Sequence, residues 1–497
     1  MTAPAPPPDD DASRLKRLFS HTSVYAVGDL SIKITTAFLA PIYTVLLEPA
    51  EFGLWSLGVM IMTGLTYLYN PALHGAITRF YYDHEHDVAA RRRFQGTLSV
   101  FLLGWSAALS GLLFVFGPWL FEHLFVDFPY APYGELVTWM AFLGVLSVVP
   151  KAVWAASEQP RAFIGTSMLS SGVNVFGALI LIALLDMGVL GLFWARLLSL
   201  AIVGIPFGRF LWREVGVAWS TRDLKDALRF SLPLVPHLIA HWILAMSDRY
   251  VIEQMMGVAA VGIYGSAYAF TEFVNMVANS MNRAWVPMFT RAYADESQRP
   301  FIARSITYFV LAVGGSSVAL AILAPTLVRD IYADRYADAA PIASVLALGG
   351  LFQGLYYIFV AGLFYFKRNG LIPVITVVSG LVNIALNILW IPSLGLLGAA
   401  LATLLSYLVL TLGVWWGCRQ VTRLPIEGRR LVILVGAMAL ALAGGLAVDG
   451  VWPWYGEWPA KLALILATPL VMHLAGFWTA GELMGVRSRL KRLLGRG

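Results

Sequence analysis

Residues 243–256, ILAMSDRYVIEQMM, set Asp248, Arg249 and Glu253 inside an otherwise apolar run, and Asp29 and Lys33 interrupt an earlier one in the same way. On a water-facing helix such charges would form an ordinary solvated face. In hydrocarbon each costs about 2.5–3.5 kcal/mol on insertion scales, so each needs a partner, a wetted cavity or a ligand. Asp29 with Lys33 and Arg249 with Glu253 are spaced by one helical turn, and pairing within a helix is one account of them. Such pairing does not remove the desolvation cost. The second account is that Lys33 and Arg249 hold a pyrophosphate, whose negative charge a cationic cavity stabilises. Arg196, Arg283 and Lys151 are further cations in apolar runs and secondary candidates for the same pyrophosphate. Arg196 is expected near the outer end of its run, and Lys151 and Arg283 near enough to the cytoplasmic ends to snorkel.

Glu272, Asn275, Asn279 and Asn282 fall at i, i+3, i+7 and i+10, one continuous face of a helix. Amides donate and accept, so the stripe suits a hydroxyl-rich cargo. The competing account, and the better one for any single amide, is that they bind helices together. His237 and His241 are one turn apart, with Asp248 seven residues beyond His241 on the same side. Asp29, Asp248, Glu253 and His241 are therefore the ion-coupling candidates, although packing or lining is the simpler reading of the histidines. No metal is expected, because no third ligand is placed. DHEHD at 83–87 adjoins RRR and reads as a solvated charge run, and Asp330, Asp334 and Asp338 read as a short water-facing helix. With no G-x-x-x-x-G-K-[ST] phosphate loop, ATP hydrolysis is unsupported. Neither a catalytic residue nor a cofactor is expected.

Membrane helices must position these groups. The 497 residues are 59% hydrophobic and 13% charged, with a mean hydropathy of +0.72, against about 25% charged in soluble chains. Fourteen apolar stretches can each cross about 30 Å of hydrocarbon as helix: 24–46, 54–79, 94–117, 135–156, 164–185, 190–212, 232–256, 261–288, 302–325, 342–366, 371–391, 397–418, 431–448 and 460–479. The fold class is an all-α polytopic membrane protein. Asn70 and Pro71 should kink the second span. A single cysteine, Cys418, excludes disulfides. The Pro- and Asp-rich N-terminus is predicted to be disordered, and Arg14, Lys16 and Arg17 alternate with apolar residues as in an interfacial helix. No signal peptide is evident. Alternate connections are rich in Lys and Arg, whereas the other side carries only Arg329, Arg335 and Lys461, so both termini are predicted to be cytoplasmic. The net charge of +6 is then a topology and lipid-surface signal, and no nucleic-acid partner is expected.

The chain repeats itself. MGVLGLFWARLLSLAIV from 187 and LGLLGAALATLLSYLVL from 394 align Gly188 with Gly395, Gly191 with Gly398, Ala195 with Ala402 and Ser199 with Ser406. At nearly the same offset FGLW from Phe52 matches VGIY from Val261, and Asn174 matches Asn383. Two six-span lobes are expected, residues 24–213 and 232–418, joined by a cytoplasmic linker at 214–231. A tail and interfacial helix (1–23), two extra spans (419–479) and a basic cytoplasmic tail (480–497) complete the chain.

FSLPLVPHLIAHWILAMSDRYVIEQMMGVAAVGIYGSAYAF, through Pro233, Asp248, Arg249, Gly257 and VGIY, resembles the second-half signature of bacterial polysaccharide-type flippases of the MATE-like (MOP) superfamily. NRAWVPMFTRAYAD, through Asn282, Trp285 and Pro287, and PAEFGLWSL after the first span also fit, and the likeness covers most of residues 14–420. The resemblance implies a carrier in the bacterial inner membrane that flips a polyprenyl-pyrophosphate-linked oligosaccharide to the outer leaflet, its lobes rocking in alternating access. It implies membrane lipids as surroundings, and a polymerase or glycosyltransferases of the same pathway as partners. The Arg-rich first span of the peptidoglycan lipid II flippases is not seen, which places that relative lower. The rival on the same architecture is a cation-coupled multidrug exporter, which would want an acidic cavity. A membrane glycosyltransferase would want a sizeable soluble loop, and none exists.

Overall fold

The computed structural model describes residues 39–84, 87–451, 454–479 and 482. Asp29, Lys33, the N-terminal tail, the interfacial segment and the basic residues from Arg487 onward lie outside them. Among the described residues the chain forms helices joined by turns, with no strand. After a helical stretch at 39–46 come α1 (Pro49–Tyr69), α2 (Leu73–Asp83), α3 (Val88–Leu124), α4 (Glu135–Val145), α5 (Val148–Ala156), α6 (Pro160–Leu179), α7 (Gly188–Phe210) and α8 (Thr221–Ser231). They are followed by α9 (Val235–Met256), α10 (Val258–Ala292), α11 (Arg299–Ile331), α12 (Ala339–Tyr365), α13 (Leu371–Leu394), α14 (Leu396–Val421), α15 (Gly428–Val448) and α16 (Trp454–Leu474).

Eleven helices among the described residues are long and apolar enough to cross a membrane. They match the expected spans 2 to 7 and 9 to 13. The eighth lies in α10 and the fourteenth in α16, while the first enters the described residues only at its end. The all-helical polytopic fold expected from hydropathy is therefore present.

Local chemistry sets the breaks. The Glu51 carboxylate accepts the Glu48 N–H at 3.0 Å, closing a capping box at the start of α1. At its other end Pro71 cannot donate, and the Asn70 side chain accepts the Leu73 N–H at 3.0 Å to start α2. The expected kink is thus a complete break. Asp87 accepts the Ala90 N–H at 2.9 Å, so one acid of the 83–87 run caps α3.

The chain divides into two compact units, Met1–Gly265 and Ser266–Gly497, the boundary falling inside α10. In the first, Tyr69, Leu73 and Ile77 pack with Phe94, Leu98 and Leu102 of α3 and Val149 and Val153 of α5. In the second, Trp285 and Phe289 of α10 pack on Phe309 and Val313 of α11, and α15 packs on α11 through Leu434, Ala437 and Ile322. Ion clusters fasten that last contact at both ends. Lys461, fully buried, reaches Thr326 at 2.7 Å, Asp449 at 2.7 Å and Glu457 at 2.8 Å, and Arg329 pairs with Asp449 and Glu457. At the opposite end Arg430 bridges Glu427 at 3.0 Å and Glu482 at 3.2 Å, stacked 4.5 Å over the Phe477 ring.

Residues aligned between the two similar stretches share backbone roles. Gly188 and Gly395 both take positive φ, at 53° and 58°, where they open α7 and α14. Ala195 and Ala402, and Ser199 and Ser406, are all fully buried. Gly53 and Gly262, aligned by FGLW and VGIY, face each other's helix: a Cβ on Gly53 would overlap the Val258 carbonyl oxygen, and one on Gly262 would overlap that of Pro49.

Candidate functional site

In the first unit the start of α1 packs between α7 and α9, and each of those neighbours carries an arginine. Arg249 is eight residues from Gly257, and Arg196 is eight residues from Gly188. Each therefore sits about 12 Å from its helix's less basic end, at 1.5 Å per residue. α7 starts at Gly188, two residues before the start of the expected apolar run.

The two arginines differ in their partners. Arg249 is buried and donates through Nε to Ser56 Oγ on α1 at 3.1 Å and through its guanidinium to the Ala245 carbonyl at 3.2 Å. It also meets the carboxylate of the adjacent Asp248 at 3.3 Å, while Glu253, one turn on, is bonded elsewhere. Asp248 is fully buried, and its other oxygen accepts from the Tyr264 hydroxyl at 2.6 Å. Glu253 accepts the backbone N–H groups of Val126 and Asp127 at 2.6 and 2.8 Å, and Asp127 in turn accepts the Val258 N–H at 3.0 Å. Glu253 thus ties the turn at Gly257 to the 125–129 loop. Arg196 is only half-buried and has no hydrogen-bond or ion-pair partner among the described residues.

The remaining candidates of this unit are placed plainly. His237 and His241 lie with ring centroids 6.4 Å apart, too far for one ring to bond the other, and no bond joins His241 to Asp248. Lys151 lies 5.7 Å over Phe163 and 6.0 Å over Phe207, a cation held by aromatic faces.

In the second unit three members of the α10 stripe are linked to one another. Asn279 donates to the Asn275 carbonyl at 2.8 Å and accepts from the Tyr357 hydroxyl of α12 at 3.1 Å, while Asn275 reaches Glu272 at 3.5 Å. Glu272 and Arg283 are exposed. Farther along, Asn282 Oδ1, Trp285 Nε1 and Gln353 Oε1 are buried polar atoms with no hydrogen-bond partner among the described residues. Buried polar atoms are nearly always satisfied, so each of the three marks a position where a polar partner would gain. Asn383 and Asn387 are fully buried and bond each other at 3.0 Å, a packing role.

Sequence reasoning missed Ser56, Tyr264, Tyr357 and Gln353. Tyr264 closes the VGIY motif, yet its contact with Asp248 crosses the Gly257 turn and has no helical spacing to betray it.

The sequence profile of a family described as "Polysaccharide biosynthesis protein" matches residues 42–341. Among curated proteins, "Lsg locus putative protein 1" of Haemophilus influenzae is 23% identical over 410 residues, 77% of this chain and 95% of its own length. The "Probable low-salt glycan biosynthesis flippase Agl15" of Haloferax volcanii is 23% identical over 195 residues, 39% of this chain and 41% of that protein. Among solved structures, lipid II flippase MurJ in an inward closed conformation superposes with a TM-score of 0.74 at 14% identity, covering 95% of this chain and 99% of that one. An inward-facing multidrug resistance MATE family transporter of the MOP superfamily gives 0.65 at 18% identity, covering 80% and 97%. At these identities the structures establish a shared fold.

Proposed function

Because the chain belongs to the polysaccharide biosynthesis protein family and has the MATE-like fold of the MOP superfamily, we propose that it flips a polyprenyl-pyrophosphate-linked oligosaccharide from the inner to the outer leaflet of the bacterial cytoplasmic membrane. The observation that carries this reading is the charge left over in the first unit: Asp248 and Glu253 are engaged, while the deep Arg196 is not. A site with a spare cation in low dielectric attracts an anionic headgroup and repels a cationic drug. That asymmetry favours the flippase over a cation-coupled multidrug exporter of the same superfamily, whose cargo would need a spare carboxylate.

In this reading Arg196 meets the pyrophosphate first, with Arg249, Lys33 and Arg283 as further phosphate ligands. Glu272, Asn275, Asn279 and Asn282 offer donors and acceptors to sugar hydroxyls. The lobes at 24–213 and 232–418 rock to present the cargo to either leaflet. Asp248 is the coupling group, and its pairing with Arg249 links ion binding to the phosphate ligands. Support for this role is the contact between the two side chains.

The test is reconstitution in liposomes with a defined polyprenyl-pyrophosphate oligosaccharide, reading its arrival in the opposite leaflet. Arg196→Gln is expected to slow flux at least about tenfold, the loss of a charge-assisted bond, with unchanged protein in the membrane. Equal flux from the variant removes Arg196 from the site. Lipid arriving no faster than in protein-free liposomes, together with efflux of cationic dyes, overturns the function.

A further inference from the structure

The second unit has a cavity of about 260 Å³ at the more basic end of α14, lined by Phe359, Trp415, Cys418, Arg419, Thr422 and Arg423 with Leu424 and Ile426. Both arginines are exposed and have no ion-pair partner among the described residues, and Arg419 lies 5.4 Å over the Trp415 ring. The nearest acid in sequence, Glu427, is already occupied by Arg430 at 3.0 Å and by the Thr307 hydroxyl at 2.8 Å. The floor is apolar: Phe359, Leu424 and Cys418 are at least partly withdrawn from solvent. Two unneutralised guanidinium groups over an apolar floor, at the end of a membrane helix, form an amphipathic receptor. Its charged rim suits a phosphate and its floor a hydrocarbon chain.

We propose that this cavity binds an anionic phospholipid of the leaflet at the basic end, its phosphate on Arg419 and Arg423 and its first acyl carbons against Phe359 and Trp415. Basic pockets between membrane helices hold anionic headgroups by the same combination of charge and desolvation. Free inorganic phosphate would satisfy the rim but leave the floor wet. A zwitterionic lipid would fill the floor but carry its own ammonium to the arginines. The cavity lies on α12, α14 and the turn after α14, apart from the residues assigned to cargo, so the proposal stands independently of the transport reading.

Cys418 lines the cavity and is the chain's only cysteine, which supplies a reporter without engineering. The experiment uses the full chain in a neutral detergent, titrated with dioctanoyl phosphatidylglycerol, dioctanoyl phosphatidylcholine or inorganic phosphate. Binding is read by native mass spectrometry and by protection of Cys418 from a small methanethiosulfonate. Phosphatidylglycerol is expected to bind and protect, phosphatidylcholine to do so at least about tenfold more weakly, and R419A/R423A to lose the preference. Arg429→Ala, which removes an exposed arginine outside the cavity, should leave it intact. Equal binding of both lipids, an unchanged preference in R419A/R423A, or protection by inorganic phosphate as strong as by the lipid would each overturn the proposal. Should Cys418 prove unreactive in every state, the mass-spectrometric preference decides alone.

Discussion

Asp248 and Arg249 are adjacent in sequence, buried together and joined at 3.3 Å. Removing one member of a buried pair leaves an uncompensated charge, typically about 3–5 kcal/mol of destabilisation. Asp248→Asn is therefore expected to lower the thermal midpoint of the purified protein sharply, and the double change D248N/R249Q to recover part of it. A midpoint as low for the double as for the single would show that the ion pair is not what is lost. Asn282 gives the opposite expectation. Its Oδ1 has no partner among the described residues, so Asn282→Leu should leave stability unchanged or raise it by about 1 kcal/mol, while slowing oligosaccharide flux in the liposome assay. At this scale the sequence was only partly legible. It showed which residues are costly in oil, since that follows from residue type. It misplaced partners, because the four-residue rule that paired Arg249 with Glu253 ignores the adjacent Asp248 and a loop that needed Glu253 for its own N–H groups.

Among elements, helix ends carry most of the specificity. The spans were readable from hydropathy, and so was the discontinuity at Asn70 and Pro71, though as a kink where the structure has a break. The length of α10 was not. Its polar stripe lowers the hydropathy of the eighth span, and the helix continues to Ala292, beyond the apolar run. The meeting of α1 with α10 shows how a glycine can be indispensable without any turn: the obstacle at Gly262 is a backbone carbonyl, which cannot rotate aside as a side chain can. Gly262→Val should force the helices apart and cost stability by about 1–3 kcal/mol or more, read as a lower thermal midpoint. Gly104→Ala, which meets open space, should not move it. Equal midpoints for G262V and the parent chain would sink this account.

Across the whole molecule, charge is arranged in closed clusters where the helices are fixed and left open where they are proposed to act. Lys461 and Arg329, two of the three cations at the less basic end, are consumed in one cluster. Glu482 anchors another. Burial raises its pKa, but hydrogen bonds from Tyr308 and Thr479 and the Arg430 charge outweigh that and hold it at about 2. A carboxyl depressed in the folded state contributes stability above its ordinary value of 4.5 that is lost as pH falls toward about 2. Hydrogen exchange of α15 and residues 475–479 should accordingly rise between those limits, and Glu482→Gln should show raised exchange already at neutral pH. Exchange in the parent chain that stays flat across that range would remove the clamp. The reciprocal meeting of Gly53 with Val258 and of Gly262 with Pro49 carries a different message. Pro49 and Val258, and Gly53 and Gly262, are each 209 residues apart, the offset at which FGLW matches VGIY. Each glycine is therefore the space that the other helix's backbone occupies, so a side chain at either position is felt at both.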